Sequence, residues 1–394
     1  MSTAIHLAFS EVWRNRGRFL LFSLVVAMIT LLVLFIAALG EGLGSGNREY
    51  LQKLNADLLV YQDTAQLNIA SSSLERSLLR TVAGVEGVAD AGPIGFSSAS
   101  IVLREVSDAE PLAETDLYDV SLIGVEPGKP GEPPVVAGEQ LQRRSDSAVI
   151  IDGTVASVTG LQVGDAFKVR SILGSREERY DLVVGGITAS RKYGLRGSVF
   201  VPYLEWDRIM PRAMVVSEQG ELSCNIIAVQ LQDPSRIEAM QNLLTERIVR
   251  IDAVDRTTAY ENTPGYREQQ STLMTQNGFA LIIGALVIGG FFQIQTLQKV
   301  PQIGMLKAIG TSNGIVAVAA MVQILLTTVT GIAIGALVTV GVASVFPANV
   351  PIIFELRSGA MAVGALLLMG PIGGLAAIRY SLRVEPLTAL GLGP

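Results

Sequence analysis

Apolar residues gather in four blocks along the 394-residue chain, and the stretch between the first and second blocks is patterned like a water-soluble protein. Phe19 to Leu39 (FLLFSLVVAMITLLVLFIAAL) runs for 21 residues without a charge. At about 1.5 Å of rise per residue, that length crosses a hydrocarbon layer of roughly 30 Å. Arg14, Arg16 and Arg18 precede it and mark its start as the cytoplasmic end. A cleaved signal peptide shares the basic-then-apolar order, and Ala38-Leu39-Gly40 would suit cleavage. Its apolar core is usually about 7–15 residues, however, so a retained anchor is expected.

The other three blocks lie beyond Thr272. The pattern predicts a cytoplasmic segment 1–18, a span 19–40, an outer insert 41–272, a span 273–297, an inner loop 298–313, a span 314–346, a short outer loop 347–358, a span 359–378 and a cytoplasmic tail 379–394. The third span exceeds a single crossing and must tilt, bend or project. The expected fold is therefore a membrane α-helical protein of four transmembrane helices, with a mixed α/β extracytoplasmic domain inserted between the first and second helices and both termini cytoplasmic. Gly40/Gly44, Gly331/Gly335 and Gly370/Gly374 have the small-xxx-small spacing that lets helix backbones approach closely, including across a dimer.

Within the insert, residues 47–55 and 266–276 are polar and helix-compatible, which predicts stalk extensions of the first two spans; Gly42, Gly44 and Gly46 would instead loosen the first into a linker. Strand patterns fall at 58–61, 148–151, 166–170, 182–187 and 226–231, and helical ones at 73–81 and from Ser235 to about Ile248, the latter opened by a Ser235/Glu238 capping box.

Charge sharpens the topology. Residues 41–272 carry 33 acidic and 22 basic side chains, whereas Arg14, Arg16, Arg18, Lys299, Lys307, Arg379 and Arg383 fall on the predicted inside, against Glu11 and Glu385. An acidic outer domain argues against nucleic-acid binding, which needs a basic face to displace phosphate counterions. The single cysteine, Cys224, has no intrachain partner and reads as a small buried apolar residue. The single histidine, His6, is on the predicted inside, so the outer domain has no imidazole for a nucleophile–base pair or a typical zinc site. No metal site is expected. No GxxxxGK[ST] phosphate loop occurs, and Gly-Leu-Gly-Ser-Gly at 42–46 lacks the lysine of one, so neither catalysis nor ATP hydrolysis is expected of this chain.

The inner loop QKVPQIGMLKAIGTSN (298–313) carries the most information. Pro301 can open a helix, Gly310 can stop it and Ser312-Asn313 can start the next, while Ile303, Met305, Leu306 and Ile309 offer an apolar docking face. Such a helix could also rest in the headgroups as a plain connector.

IGMLKAIGTS (303–312) resembles the IG-x-x-K-A-x-G-A/T-S signature between the second and third spans of FtsX/MacB-type (type VII) ABC transporter permeases. RNRGRF (14–19) is similar to the basic entry to their first span. GLQVGD (160–165) and VFVPY (199–203) are similar to parts of their outer core domain, and residues 379–390, ending in RVEPLTAL, to their C-terminal segment. The resemblance covers essentially the whole chain. It implies a permease half in a bacterial cell (inner) membrane, a second permease copy, and a separate cytoplasmic ABC ATPase carrying ATP and Mg, since the nucleotide-binding domain that MacB holds on its own chain is absent. Lys299, Ile303, Gly304, Met305, Lys307, Ile309 and Gly310 would then serve ATPase coupling. GEGLGSGN (40–47), Ala56-Asp57 and Ser71 to Leu74 resemble the HrtB-like branch, whose best-known members export haem. That implies a small amphipathic or hydrophobic substrate, such as haem or a drug, expelled from the membrane lipid, with Glu41, Asn47 and Arg48 as candidate polar contacts. For Glu41 a solvated helix-end carboxylate is the competing role. Haem iron would find no outer histidine, leaving Met, Tyr, Cys224 or no axial ligand. Two other activities fit a large outer domain: an FtsX-like transmitter that activates a cell-wall hydrolase, and a lipoprotein-releasing permease.

Overall fold

The computed structural model describes residues 16–104, 113–144, 146–173, 176–209, 223–346 and 352–383; His6, Arg14, residues 347–351 of the loop expected at 347–358 and the tail beyond 383 lie outside the described residues. The chain divides into two compact units, one taking residues up to Leu43 and from Gln269 onward, the other Gly44–Glu268.

Among the described residues, five helices carry the first unit: α1 (Arg16–Gln52), α7 (Tyr266–Gln298), α8 (Val300–Ala308), α9 (Asn313–Ala343) and α10 (Leu356–Arg383). All but α8 contain a stretch long and apolar enough to cross a membrane. They pack through Val26, Val33, Ile288, Phe292, Ile324, Ile332, Leu366 and Met369. Apolar side chains gain little from leaving lipid for a helix interface, so close backbone approach through small residues has to supply the contact. A Cβ on Gly331 would meet Val26 of α1 at 2.5 Å, one on Gly335 the Ala27 carbonyl at 2.6 Å, and one on Gly370 the Thr328 hydroxyl at 2.3 Å. Gly289 and Gly373 bring α7 and α10 equally close, a Cβ on Gly289 falling 2.5 Å from the Gly373 carbonyl. The spaced glycines 331/335 and 370/374 are thus spent inside one chain.

The second unit is built on a ten-stranded mixed sheet in the order β12-β1-β11-β3-β4-β9-β6-β8-β5, with β7 pairing β3 and β8. Its strands are β1 (Leu58–Gln62), β3 (Val88–Val102), β4 (Leu117–Val125), β5 (Val135–Gly138), β6 (Ala148–Asp152), β7 (Ala166–Leu173), β8 (Arg176–Thr188), β9 (Gly197–Pro202), β11 (Ile226–Leu231) and β12 (Ile251–Asp255); β2 (Leu74–Glu75) and β10 (Ser223–Cys224) pair separately. Helices α2 (Arg76–Ala83), α3 (Gly153–Thr159), α4 (Tyr203–Ile209), α5 (Ile237–Arg247) and α6 (Arg256–Glu261) complete the unit.

Both sheet faces are covered, which is why β1, β6 and β11 are built on continuous apolar runs at 58–61, 148–151 and 226–229. Val120, Leu122, Val149, Ile151, Val199 and Val201 face a core shared with Val82, Trp206, Met240 and Leu244 of the helices. Ile123, Ile150, Phe200 and Ile226 face the other core, which receives Tyr50, Leu51 and Leu54 from the end of α1 and the residues just after it. The strands β3 and β4 escape the strand patterns of the sequence because Gly95 and Gly124 weaken their apolar signal. Both glycines lie under the Trp206 ring, which a Cβ at either position would strike within 2.6 Å. The helix expected over 73–81 begins only at Arg76, after the short strand β2.

Candidate functional site

Between α7 and α9 the chain makes one tight helical elbow. Lys299 precedes α8, Pro301 stands in its first turn, and the Ile309 and Gly310 amides close its end on the Met305 and Lys307 carbonyls at 3.1 and 3.0 Å. Proline has no amide to leave unpaired there, and its fixed φ suits the opening of a helix. Gly310 has φ +99°, a left-handed conformation that stops the helix with little strain only in glycine.

At 100° per residue, Pro301, Gln302, Met305, Ala308 and Ile309 share one face of this helix, and all five are exposed. Met305 is 54% and Ile309 79% exposed, so two large apolar side chains stand together on the surface of the elbow. Ile303 and Lys307 are half-buried and Gly304 buried on the opposite side. The structure thus parts Ile303 from the face it was expected to share with Met305 and Ile309, because residues 303 and 305 are 200° apart on a helix. The Leu306 side chain lies outside the described residues. Polar contacts tie down both roots of the elbow: the Arg18 guanidinium donates to Gln298 Oε1 at 3.2 Å, and Lys299 Nζ to Gln323 Oε1 at 3.4 Å.

Glu41 and Arg48 occupy the same helix with different partners. Ser358 Oγ lies 3.4 Å from a Glu41 carboxylate oxygen and 3.2 Å from one of Glu355. The Arg48 guanidinium reaches the Tyr266 hydroxyl at 3.5 Å. The Asn47 side chain lies outside the described residues. Cys224 is buried, and burial pushes its thiol up to about 12, so it stays protonated and packs as an apolar residue. Among the described residues, no group of three or more His, Cys, Asp and Glu side chains could hold a metal ion.

A polar network around the end of α1 escaped the sequence reading. The loop 189–196, between β8 and β9, wraps residues 46–53. Glu49 pairs with Lys53 at 2.6 Å through one carboxylate oxygen, while the other accepts from Ser190 Oγ at 3.0 Å and the Lys192 amide at 3.3 Å. Lys53 Nζ also donates to the Ser190 carbonyl at 2.8 Å. The carbonyls at a helix end need partners and carry partial negative charge. Arg191 donates to the Lys53 carbonyl, and Arg256 to those of Gln52 and Leu54 at 3.3 and 3.2 Å. Two guanidinium groups from distant parts of the chain therefore cap one helix.

The loop is itself fixed to the sheet. The Arg191 amide donates to Asp152 at 3.2 Å, Ser198 Oγ to the Arg191 carbonyl at 2.6 Å, and Ser121 Oγ to the Tyr193 carbonyl at 3.1 Å. Burial raises the Asp152 carboxyl above its usual range despite the amides it accepts, and lowers the Arg191 guanidinium against the opposing pull of Tyr50 and Glu49. Lys53 and Arg191 also line a cavity of about 580 Å³ together with Asp90, Lys129 and Glu132. The one available sequence signal was the Arg-Lys-Tyr-Gly-Leu-Arg run at 191–196, unusually basic for an acidic domain.

Residues 277–386 match the FtsX-like permease C-terminal family, and residues 19–247 the MacB-like periplasmic core domain, more than half of the chain. A Staphylococcus haemolyticus protein named for a hemin transport system permease, HrtB, is 22% identical over 389 residues, covering 98% of this chain and 99% of that protein. HrtB of Staphylococcus epidermidis strain RP62A is 22% identical over 391 residues, covering 99% of this chain and 100% of its own. Among solved structures, the extracellular domain of the noncanonic ABC-type transporter YknZ from Gram-positive bacteria aligns with 51% of this chain and 100% of that chain, at 16% identity and a TM-score of 0.34. The periplasmic region of MacB from Actinobacillus actinomycetemcomitans aligns with 53% of this chain and 94% of its own, at 13% identity and a TM-score of 0.34.

Proposed function

The chain belongs to the FtsX/MacB-type ABC transporter permeases, and from that premise we propose that it works as a homodimer with a separate cytoplasmic ATPase to expel an amphipathic compound from the membrane. ATP and Mg bind the partner subunit, and both termini of this chain face the cytoplasm. The observation that carries the reading is the exposed Met305/Ile309 pair on the elbow between two apolar spans. A short helix with an apolar patch suits insertion into a groove of another protein. Lys299 at the helix start and Lys307 on the side away from that patch would assist the coupling, and Gly304 and Gly310 shape the helix that presents the patch. Movement of the elbow would pass along α7 and α1 to the outer unit.

The likeness to proteins named as hemin permeases makes haem the first substrate to try. Residues 41–272 contain no histidine, so iron ligation is not the expected grip. The porphyrin would be held by its apolar face, and Arg48 offers a counter-charge for a propionate. Glu41 and Asn47 would supply further polar contacts near the outer end of the first span.

The test is reconstitution of the chain with its cognate ATPase in vesicles loaded with haem or other lipophilic compounds. Extrusion should require ATP, and the compounds should stimulate ATP turnover. Replacing both Met305 and Ile309 by Asp should lower extrusion by at least about tenfold without unfolding the protein, because burying a carboxylate in an apolar contact costs more than about 1.4 kcal/mol. Unchanged extrusion in that variant would overturn the coupling role. Absence of any stimulation, together with co-purification of a coiled-coil cell-wall hydrolase, would replace export by signal transmission.

A further inference from the structure

The two helices that run between the units are held in the outer unit in different ways. The end of α1 is gripped by backbone, side-chain and guanidinium contacts from the 189–196 loop and from Arg256. The start of α7 follows a turn instead: Thr263 bonds back to Tyr260, Tyr266 to Thr263, and Gly265 stands between them at φ +82°. Tyr266 itself is buried, its hydroxyl 3.5 Å from the Arg48 guanidinium and its ring edge-on to Tyr260 at 6.0 Å between centroids.

The grip on α1 also holds an unfavourable conformation. Tyr193 to Arg196 form a two-residue hairpin closed by hydrogen bonds of 3.1 and 3.2 Å, with Gly194 at φ +59° and Leu195 at φ +66°. Both central residues of such a turn need positive φ, which suits glycine and asparagine and disfavours leucine. What the leucine does is touch α1. Its amide donates to the Gly46 carbonyl at 3.2 Å, and its side chain fills the place where a Cβ on residue 46 would stand, 2.4 Å away. Gly46 and Leu195 are each the wrong residue for their local structure and the right one for each other. Strain kept at a contact of this kind points to a function for the contact.

We infer that Leu195, Arg191 and Glu49 are positioning residues that make α1 the element through which ATP-driven movement enters the outer sheet, while α7 follows on its glycine turn. The inference presupposes the export function proposed above. Its test uses the full chain with its ATPase in lipid nanodiscs, comparing wild type with L195N, which keeps the left-handed turn but loses the contact, and with R191A. Extrusion from matched vesicles and hydrogen exchange with and without ATP plus vanadate are measured. In both variants the nucleotide-dependent change at 300–308 should persist, the change at 189–198 should vanish, and extrusion should fall roughly 2- to 30-fold, the usual span for residues that carry coupling. A merely structural contact would lower thermal stability and leave the exchange response at 189–198 in place. If R191A fails to fold, L195N carries the test, since Leu195 is 45% exposed and its loss costs little packing. A wild-type complex that extrudes nothing sinks the export reading and the inference with it. Extrusion by wild type, with a full response at 189–198 retained in the variants, sinks the inference alone.

Discussion

Glu49 shows how a single carboxylate is held ionised in a half-buried place. Burial pulls its pKa up, while the Lys53 ammonium, the Lys192 amide and the Ser190 hydroxyl pull it down, and the net shift is downward. A carboxylate with a lowered folded pKa adds stability that is complete above its unfolded value and is lost as the pH falls through the folded one. The E49Q variant should therefore be less stable than wild type at pH 7 by about 1.5–3 kcal/mol, the usual worth of a hydrogen bond to a charged group. Lys53 is 43% exposed, which favours the lower end of that range. The difference should shrink as the pH drops below 4.5, as thermal unfolding in detergent from pH 3 to 7 would reveal; a gap independent of pH would exclude the charge as its source. The i,i+4 spacing of Glu49 and Lys53 is visible in the sequence, but Ser190 and Lys192 lie about 140 residues away and no local pattern announces them.

Among the elements, α8 was the most legible because its boundaries are written in residue chemistry: a proline at the start, a glycine at φ +99° just past the end. A Cβ on Gly310 would meet nothing within 4 Å, so G310A tests the backbone conformation alone. It should cost about 1–2 kcal/mol through the left-handed φ and fray the last turn, where Ile309 is presented. Circular dichroism would detect little change, whereas ATP-driven extrusion should fall; full activity would show that the exact end of the elbow is unimportant. The strands divide by the same logic. β6, β8 and β11 carry dense β-branched runs and could be read directly, whereas β3 spends Gly92, Pro93, Gly95 and three serines on close contacts and pairing and looks like a loop. The helix extensions expected at 47–55 and 266–276 appear as α1 running on to Gln52 and α7 starting at Tyr266.

For the whole molecule, the separation of charge along the chain makes a topological prediction that needs no knowledge of substrate. The native Cys224 is buried, so introduced cysteines can be labelled over a low background. Val249, 81% exposed in the outer unit, and Gln302 on the exposed face of α8 are suitable positions. V249C should react with a membrane-impermeant maleimide in intact cells, and Q302C only after permeabilisation. Reaction of both from the same side would contradict the positive-inside orientation and remove any path from an ATPase to the outer unit.

The sequence by itself determined the apolar spans and the mixed α/β character of the insert, because a bilayer demands long uncharged runs and helices and strands differ in apolar period, while the permease family was legible only through the resemblance carried by IGMLKAIGTS at 303–312. Only the tertiary structure decided which glycines pack inside one chain, that Ile303 turns away from Met305 and Ile309, and that Arg191 and Arg256 close on the end of α1. Those are pairings between residues far apart in the chain, and they are fixed by helix phase and sheet register rather than by any local periodicity.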